Sequence, residues 1–238
     1  MRVGHRHSKI PVPLLWVATS LVIIICVVFA AVYVASWQGP PQPVTNLTTF
    51  TAAGETVAAE TLKLLHNRGK IVVLVSNAVE SKVPVIAAVL IGFTAAIQKQ
   101  PGATVVATEP VVGADWQIDG LDKGISLRRY RAVVQQHPDA DVVVSLAGVP
   151  LLADAVWKDL PAKRPKFVAV FIAERLTSSA RLRKLFTEGV VHLAIIPRPV
   201  PPAGAKVAKT AQDRFERLFM VAGAEQAAWL PEAFAHQD

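Results

Sequence analysis

Residues 71–75 read Ile71-Val72-Val73-Leu74-Val75, and residues 141–145 read Asp141-Val142-Val143-Val144-Ser145. Neither run alternates apolar with polar. A strand that is apolar on both faces belongs in the middle of a covered sheet, and such sheets are mostly parallel. What lies between and after these runs agrees. Residues 83–98 are apolar and long enough for a helix, 104–108 form a second short β-branched run, and 126–136 place Leu127, Tyr130 and Val134 on one helical side. After 141–145 come a helix over 149–160, a strand over 167–172, a helix over 178–188 closed by Gly189, and a strand over 190–196. Strands that alternate with helices imply right-handed crossovers. The expected fold class is α/β, a single doubly wound three-layer domain with a five-stranded parallel sheet, flavodoxin-like in strand order. Upstream, 55–66 reads as a first helix with Val57, Leu62 and Leu65 on a loosely apolar face. Downstream, Pro197, Pro199, Pro201 and Pro202 break the pattern before a last helix over 210–222, which Phe215, Leu218 and Phe219 would dock onto the domain.

The other end of the chain is read from charge. Residues 12–37 contain no charged side chain. As a helix they would reach roughly 39 Å, against a hydrocarbon core of about 30 Å. Trp16 lies near one end and Tyr33 and Trp37 near the other, where amphipathic rings favour the membrane interface. Arg2, Arg6 and Lys9 precede the run, and no Lys or Arg follows it until Lys63. That asymmetry predicts one transmembrane anchor with a cytoplasmic N-terminus and an extracytoplasmic domain. A cleaved signal peptide is the rival, against which stands an apolar run longer than the usual 7–15 residues. The expected organisation is therefore 1–11 cytoplasmic and basic, 12–37 anchor, 38–53 Pro/Thr-rich linker, 54–200 α/β domain, and 201–238 C-terminal helical segment.

Composition narrows the chemistry. Of 238 residues, 52% are hydrophobic and 18% charged, an apolar excess that fits an anchor. The net charge of +7 includes the three N-terminal cations, so the remainder is only mildly basic. The single cysteine, Cys26, lies inside the apolar run, so the domain has no disulfide and no thiol chemistry. The six histidines are scattered, and no metal ligand set at standard spacing is present. No metal and no cofactor are implied.

In an open parallel sheet, ligands bind beyond the carboxyl ends of the strands, at the switch point. Those loops hold Ser76, Asn77 and Ser81 after the first strand, Gly148 after the third, and Glu174 and Arg175 after the fourth. The hydroxyls and amide can hydrogen-bond a small solute, Gly148 lets backbone approach it, and Glu174 and Arg175 can read charge. Each also has a plainer use: Asn77 or Ser81 as a helix cap, Gly148 as a tight turn, Glu174 and Arg175 as solvated side chains. The first loop has no glycine for a dinucleotide fingerprint, and neither GxxxxGK[ST] nor GxSxG occurs. No catalytic residue is assigned. An enzyme would have to use Glu80, Glu109, Asp115 or Glu174, the carboxylates near the expected edge. Two further features stand out. The apolar 83–97 segment is a covered core helix or meets a second subunit. Lys158, Lys163, Arg164, Lys166, Arg175, Arg181, Arg183 and Lys184 form either a solvated face or one that meets lipid headgroups or an acidic partner.

The runs KIVVLVS, ADVVVSLAG, VPLLADAVWKDL and KFVAVFIA, with the apolar helix between the first two, resemble one lobe of a type I periplasmic solute-binding protein, of the ABC-transporter substrate-binding kind. The likeness spans about residues 70–197 and is one of rhythm. It implies a non-enzymatic receptor or scaffold subunit of an envelope complex in a bacterial inner membrane. Implied partners are the membrane, a small-molecule solute, and a homodimer or membrane-complex partner, with no nucleic acid. Ligand contacts would come from Ser76, Asn77, Gly148 and Glu174. That family clamps its ligand between two lobes, whereas this chain has room for one.

Overall fold

The computed structural model describes residues 47–76, 83–119, 122–151, 164–172, 179–198, 209–227 and 230. The chain divides into Met1–Thr45 and Asn46–Asp238, and every described residue belongs to the second unit. Residues 12–37 with Trp16, Tyr33 and Trp37 lie outside the described residues, as do Asn77, Glu80, Ser81, Glu174 and Arg175. Among the described residues, no helix is long and apolar enough to cross a membrane.

Six strands form the main sheet, in the order β2-β1-β5-β7-β8-β9. They are β1 (Gly69–Ser76), β2 (Ala103–Val111), β5 (Val142–Ser145), β7 (Lys166–Val170), β8 (Leu193–Pro197) and β9 (Phe219–Ala222). The first five are parallel, and β9 joins β8 antiparallel. The five-stranded parallel sheet expected from sequence is thus the core of a six-stranded mixed one, and its five strands keep the flavodoxin-like order. The apolar runs stand where they were expected: Ile71 to Leu74 and Val142 to Val144 are fully buried.

Two apolar layers flank the sheet. On one face Ile71, Val73, Val142, Val144, Val168 and Ile195 pack against α1 (Leu47–Leu64), α2 (Val83–Gln98) and Phe215 of α5 (Ala211–Leu218). On the other, Val72, Leu74, Val143, Phe167 and Ala169 meet Tyr130 and Val133 of α3 (Leu127–Gln136) and Leu182, Leu185 and Phe186 of α4 (Ser179–Thr187). A short helix, α6 (Ala224–Ala227), follows β9. The α1–α2 crossing is close because both helices present glycine there. A Cβ on Gly54 would lie 2.0 Å from the Val89 carbonyl oxygen, and one on Gly92 would lie 2.1 Å from that of Thr51.

Four local expectations need correction. The first helix starts at Leu47, inside the stretch read as linker, rather than at Glu55. Thr48 and Thr49 are poor helix formers by themselves, but Thr49 is buried and accepts a 3.0 Å hydrogen bond from Arg214 Nε, so tertiary packing decides. The last helix stops at Leu218, because 219–222 completes the sheet edge beside β8. Phe215 and Phe219 do dock, stacked at 5.6 Å, while Leu218 is 51% exposed. No helix begins at Val149; Pro150–Leu151 is a strand, β6. It joins β3 (Trp116–Asp119) and β4 (Asp122–Ser126) in a small second sheet that the sequence reading lacked. Finally, α2 is not covered all round, since Ile91 on its outer side is 62% exposed.

Candidate functional site

The chain leaves β1 for β2 on one side and later returns to β5 on the other. The switch point therefore lies between the carboxyl ends of β1 and β5. Ser76 ends β1 and Ser145 ends β5. Both lie in register with residues of the α3/α4 face: Ser76 pairs with Val111, and Ser145 follows Val143 by two. Ser145 is fully buried, and its Oγ accepts the Ala147 N–H at 3.2 Å. That bond turns the chain sharply after the strand. Leu146 N–H donates to Leu74 O at 2.8 Å, and Val149 O accepts from Ile125 N–H at 2.9 Å. The loop is thereby tied to β1 on one side and to the small sheet on the other.

Gly148 sits between those ties. It is buried, with φ +81°, a region side chains disfavour. Among the described residues, a Cβ built on it would meet Phe171 Cε1 at 3.9 Å, an ordinary contact, and no other atom within 4 Å. Of the six residues singled out from sequence, the structure describes Ser76 and Gly148: Ser76 ends β1, and Gly148 lies in the loop that follows the neighbouring β5.

The opposite face of the same edge is apolar. Ile86 and Val89 of α2 and Leu146, Val170 and Ile172 of the strand ends line a cavity of about 10 Å³, room for about one water.

The carboxylates have a different use. The β1–β2 register skips Val106, since Ile71 pairs with Val105 and Val72 with Ala107. A bulge of one residue flips the following side chains to the other face, which turns Glu109 toward α3. Glu109 accepts hydrogen bonds from Arg129 Nη2 at 3.0 Å and faces His137 Nε2 at 3.0 Å. The His137 hydrogen bond, with Arg129 behind it, holds the Glu109 carboxyl below the usual carboxylate range. Arg129 also reaches the Pro110 carbonyl at 2.8 Å and lies 3.6 Å from Asp115. This lattice fastens both ends of α3 to β2. An acid–base pair needs carboxylates in unlike environments, whereas Glu109 and Asp115 share one guanidinium.

The basic run is likewise directed inward where it is described. Arg164 donates to the carbonyls of Glu188 and Gly189, Lys166 to Leu64 O at 2.8 Å, and Arg183 to Leu230 O. Lys184 pairs with Glu188 at 3.9 Å. Among the described residues no group of His, Cys, Asp and Glu is placed to hold a metal ion.

One residue at this edge escaped notice from sequence. Ser179 opens α4, which follows β7, and its Oγ is buried with no hydrogen-bond partner. A serine in a polar Thr177-Ser178-Ser179 run gives no sign of such burial.

Comparison with known proteins finds likeness in structure alone. No protein-family model and no curated protein matches the sequence. The structure is similar to an arabinose-binding protein from Geobacillus stearothermophilus at TM-score 0.48 and 17% identity, over 76% of this chain and 63% of that one. It is similar to a solute-binding protein of an ABC transporter from Burkholderia graminis, solved with D-arabinose, at TM-score 0.47 and 16% identity, over 74% and 60%. A sugar-binding protein of a Bacillus halodurans ABC transporter gives TM-score 0.49 and 13% identity, over 76% and 63%. The chain thus spans about three fifths of the length of these proteins.

Proposed function

We propose that this domain is a non-enzymatic receptor that holds a small polar solute at the carboxyl edge of its sheet, between β1 and β5. One observation supports this above the others: Gly148 is buried at the switch point, in a conformation suited to glycine, and no described side chain crowds its backbone. Ser76 and Ser145 end these two strands on one face of the same edge. Engagement of Glu109 by Arg129 and His137 favours a receptor over a carboxylate-based enzyme.

The anchor and the envelope placement belong to the same proposal and rest on residues 1–37: three cations, then an uncharged apolar run with aromatic ends. The domain would face the extracytoplasmic side of a bacterial inner membrane, as a receptor or scaffold subunit. The D-arabinose bound by one of the structurally similar proteins makes a natural first probe. Isothermal titration of the full chain in mild detergent with D-arabinose tests the reading. Binding, weakened more than tenfold by Gly148→Val, is the expected result. Affinity unchanged by Gly148→Val would place the solute elsewhere and overturn it.

A further inference from the structure

We infer that the outer face of α2 rests on the lipid surface of the membrane the chain enters, with Ile91 set into the headgroup layer; this rests on the reading of residues 12–37 as an anchor. The 16 residues of Val83–Gln98 include no charged side chain. The inner side of the helix packs on the sheet through Val89, Phe93 and Ile97. Its outer side presents Pro84, Ile91 and Ala95, all exposed, with Ala87 half-buried in the same row. Steps of three and four residues join these positions, so they form one stripe along the helix. The solvent side of a surface helix is ordinarily charged or polar, whereas this stripe is apolar, and Ile91 is 62% exposed.

The chain enters the domain beside that stripe. Residues 38–46 alone separate the uncharged run from the start of α1 at Leu47. Fully extended they reach at most about 35 Å, so the tether holds the domain near the bilayer. The first turns of α1 are the part that meets α2, since Gly92 lies against Thr51 O and Gly54 against Val89 O. Ile91 adjoins Gly92 and is therefore held next to the turn of α1 that follows Leu47, a residue that is itself 40% exposed. A tethered surface meets its partner at high effective concentration, an advantage that a second copy of the chain lacks. The boundary between headgroups and acyl chains accepts an apolar helix face to a depth of about 5–10 Å without polar partners. Lys99, exposed just beyond the end of α2, is placed to meet headgroup phosphates.

The test uses the full chain, carrying Cys26→Ser, in nanodiscs of phosphatidylcholine and phosphatidylglycerol. A bimane fluorophore is attached at Ile91→Cys, at Ala95→Cys on the same stripe, or at Gln136→Cys, exposed on α3 across the sheet. Nitroxide-bearing lipid and aqueous iodide serve as quenchers. Nitroxide lipid should quench the labels at Ile91→Cys and Ala95→Cys several-fold more than the one at Gln136→Cys, and iodide should show the reverse order. If the protein enters the discs but iodide quenches all three labels alike, the anchor stands and the lipid contact does not. Labels on α2 shielded from both quenchers would show that protein covers the stripe, a second copy or another segment of the chain, and would also overturn the inference. A chain that does not migrate with the discs overturns the anchor and the inference together.

Discussion

Gly54→Ala adds one methyl group at the α1–α2 crossing, and the geometry fixes its cost. The new carbon would lie 2.0 Å from Val89 O and 2.7 Å from Phe93 N. A carbon–oxygen contact is comfortable near 3.3 Å, so the helices must part by roughly 1.3 Å. The obstacle is backbone, which no rotamer change can move aside. Ala53, Val57, Val89 and Phe93, all buried around the crossing, would loosen together. Overpacking of this kind costs about 3 kcal/mol, at the upper end of its usual range. Replacing a helical glycine with alanine returns about 1 kcal/mol. The net loss is about 2 kcal/mol, or a fall of about 4–8 °C in Tm for a domain of this size. Urea and thermal unfolding of wild type and variant measure it. Gly92→Ala strains the same crossing against Thr51 O, so the double variant should lose less than the two single losses added. A Gly54→Ala protein as stable as the wild type, or more stable, would show that helix propensity outweighs any clash. The crossing would then not be as close as described.

Two other perturbations test the packing. Burial holds His192 below its usual pKa, and its Nδ1 accepts the Phe167 N–H at 3.2 Å in the neutral form. The unfolded chain then binds a proton more readily than the folded one, so this contribution is complete above about pH 6.5 and is lost as pH falls below it. Chemical denaturation between pH 7.5 and 5 should show the decline, and His192→Gln should flatten it. Arg129→Ala leaves Glu109 and Asp115 without their guanidinium and should cost about 2 kcal/mol. In urea titrations that loss should exceed the one caused by Arg131→Ala on the same helix.

The elements that could be read from sequence are those whose residues face one environment throughout. Ile71 to Leu74 and Val142 to Val144 are buried on both faces, so composition alone marks them as interior strands. The boundaries of α2 follow from its flanking charges, Lys82 and Lys99. The start of α1 depends on Arg214, distant in sequence, reaching Thr48 and Thr49, and no local propensity conveys that. β9 is four residues long and forms by pairing with β8, while 210–222 carries helix-like periodicity throughout. The hairpin of β3 and β4 did leave a faint trace in the alternation of Trp116-Gln117-Ile118-Asp119; the exposed Ile118 and short strands hid it.

The site divides in the same way. Ser76 and Gly148 follow from the rule that strand ends meet at the switch point. The bulge at Val106 could not be foreseen, and it alone turns Glu109 from a candidate acid into a clasp for α3. Ser179 is conspicuous only once its burial is known.

Native mass spectrometry of the full chain, purified in mild detergent, bears most directly on the solute site proposed between β1 and β5. Wild-type protein should carry an added mass of a few hundred daltons above the bare chain. Gly148→Val protein prepared alongside should not. Equal loading of both proteins, or a bare mass for both, would contradict the account.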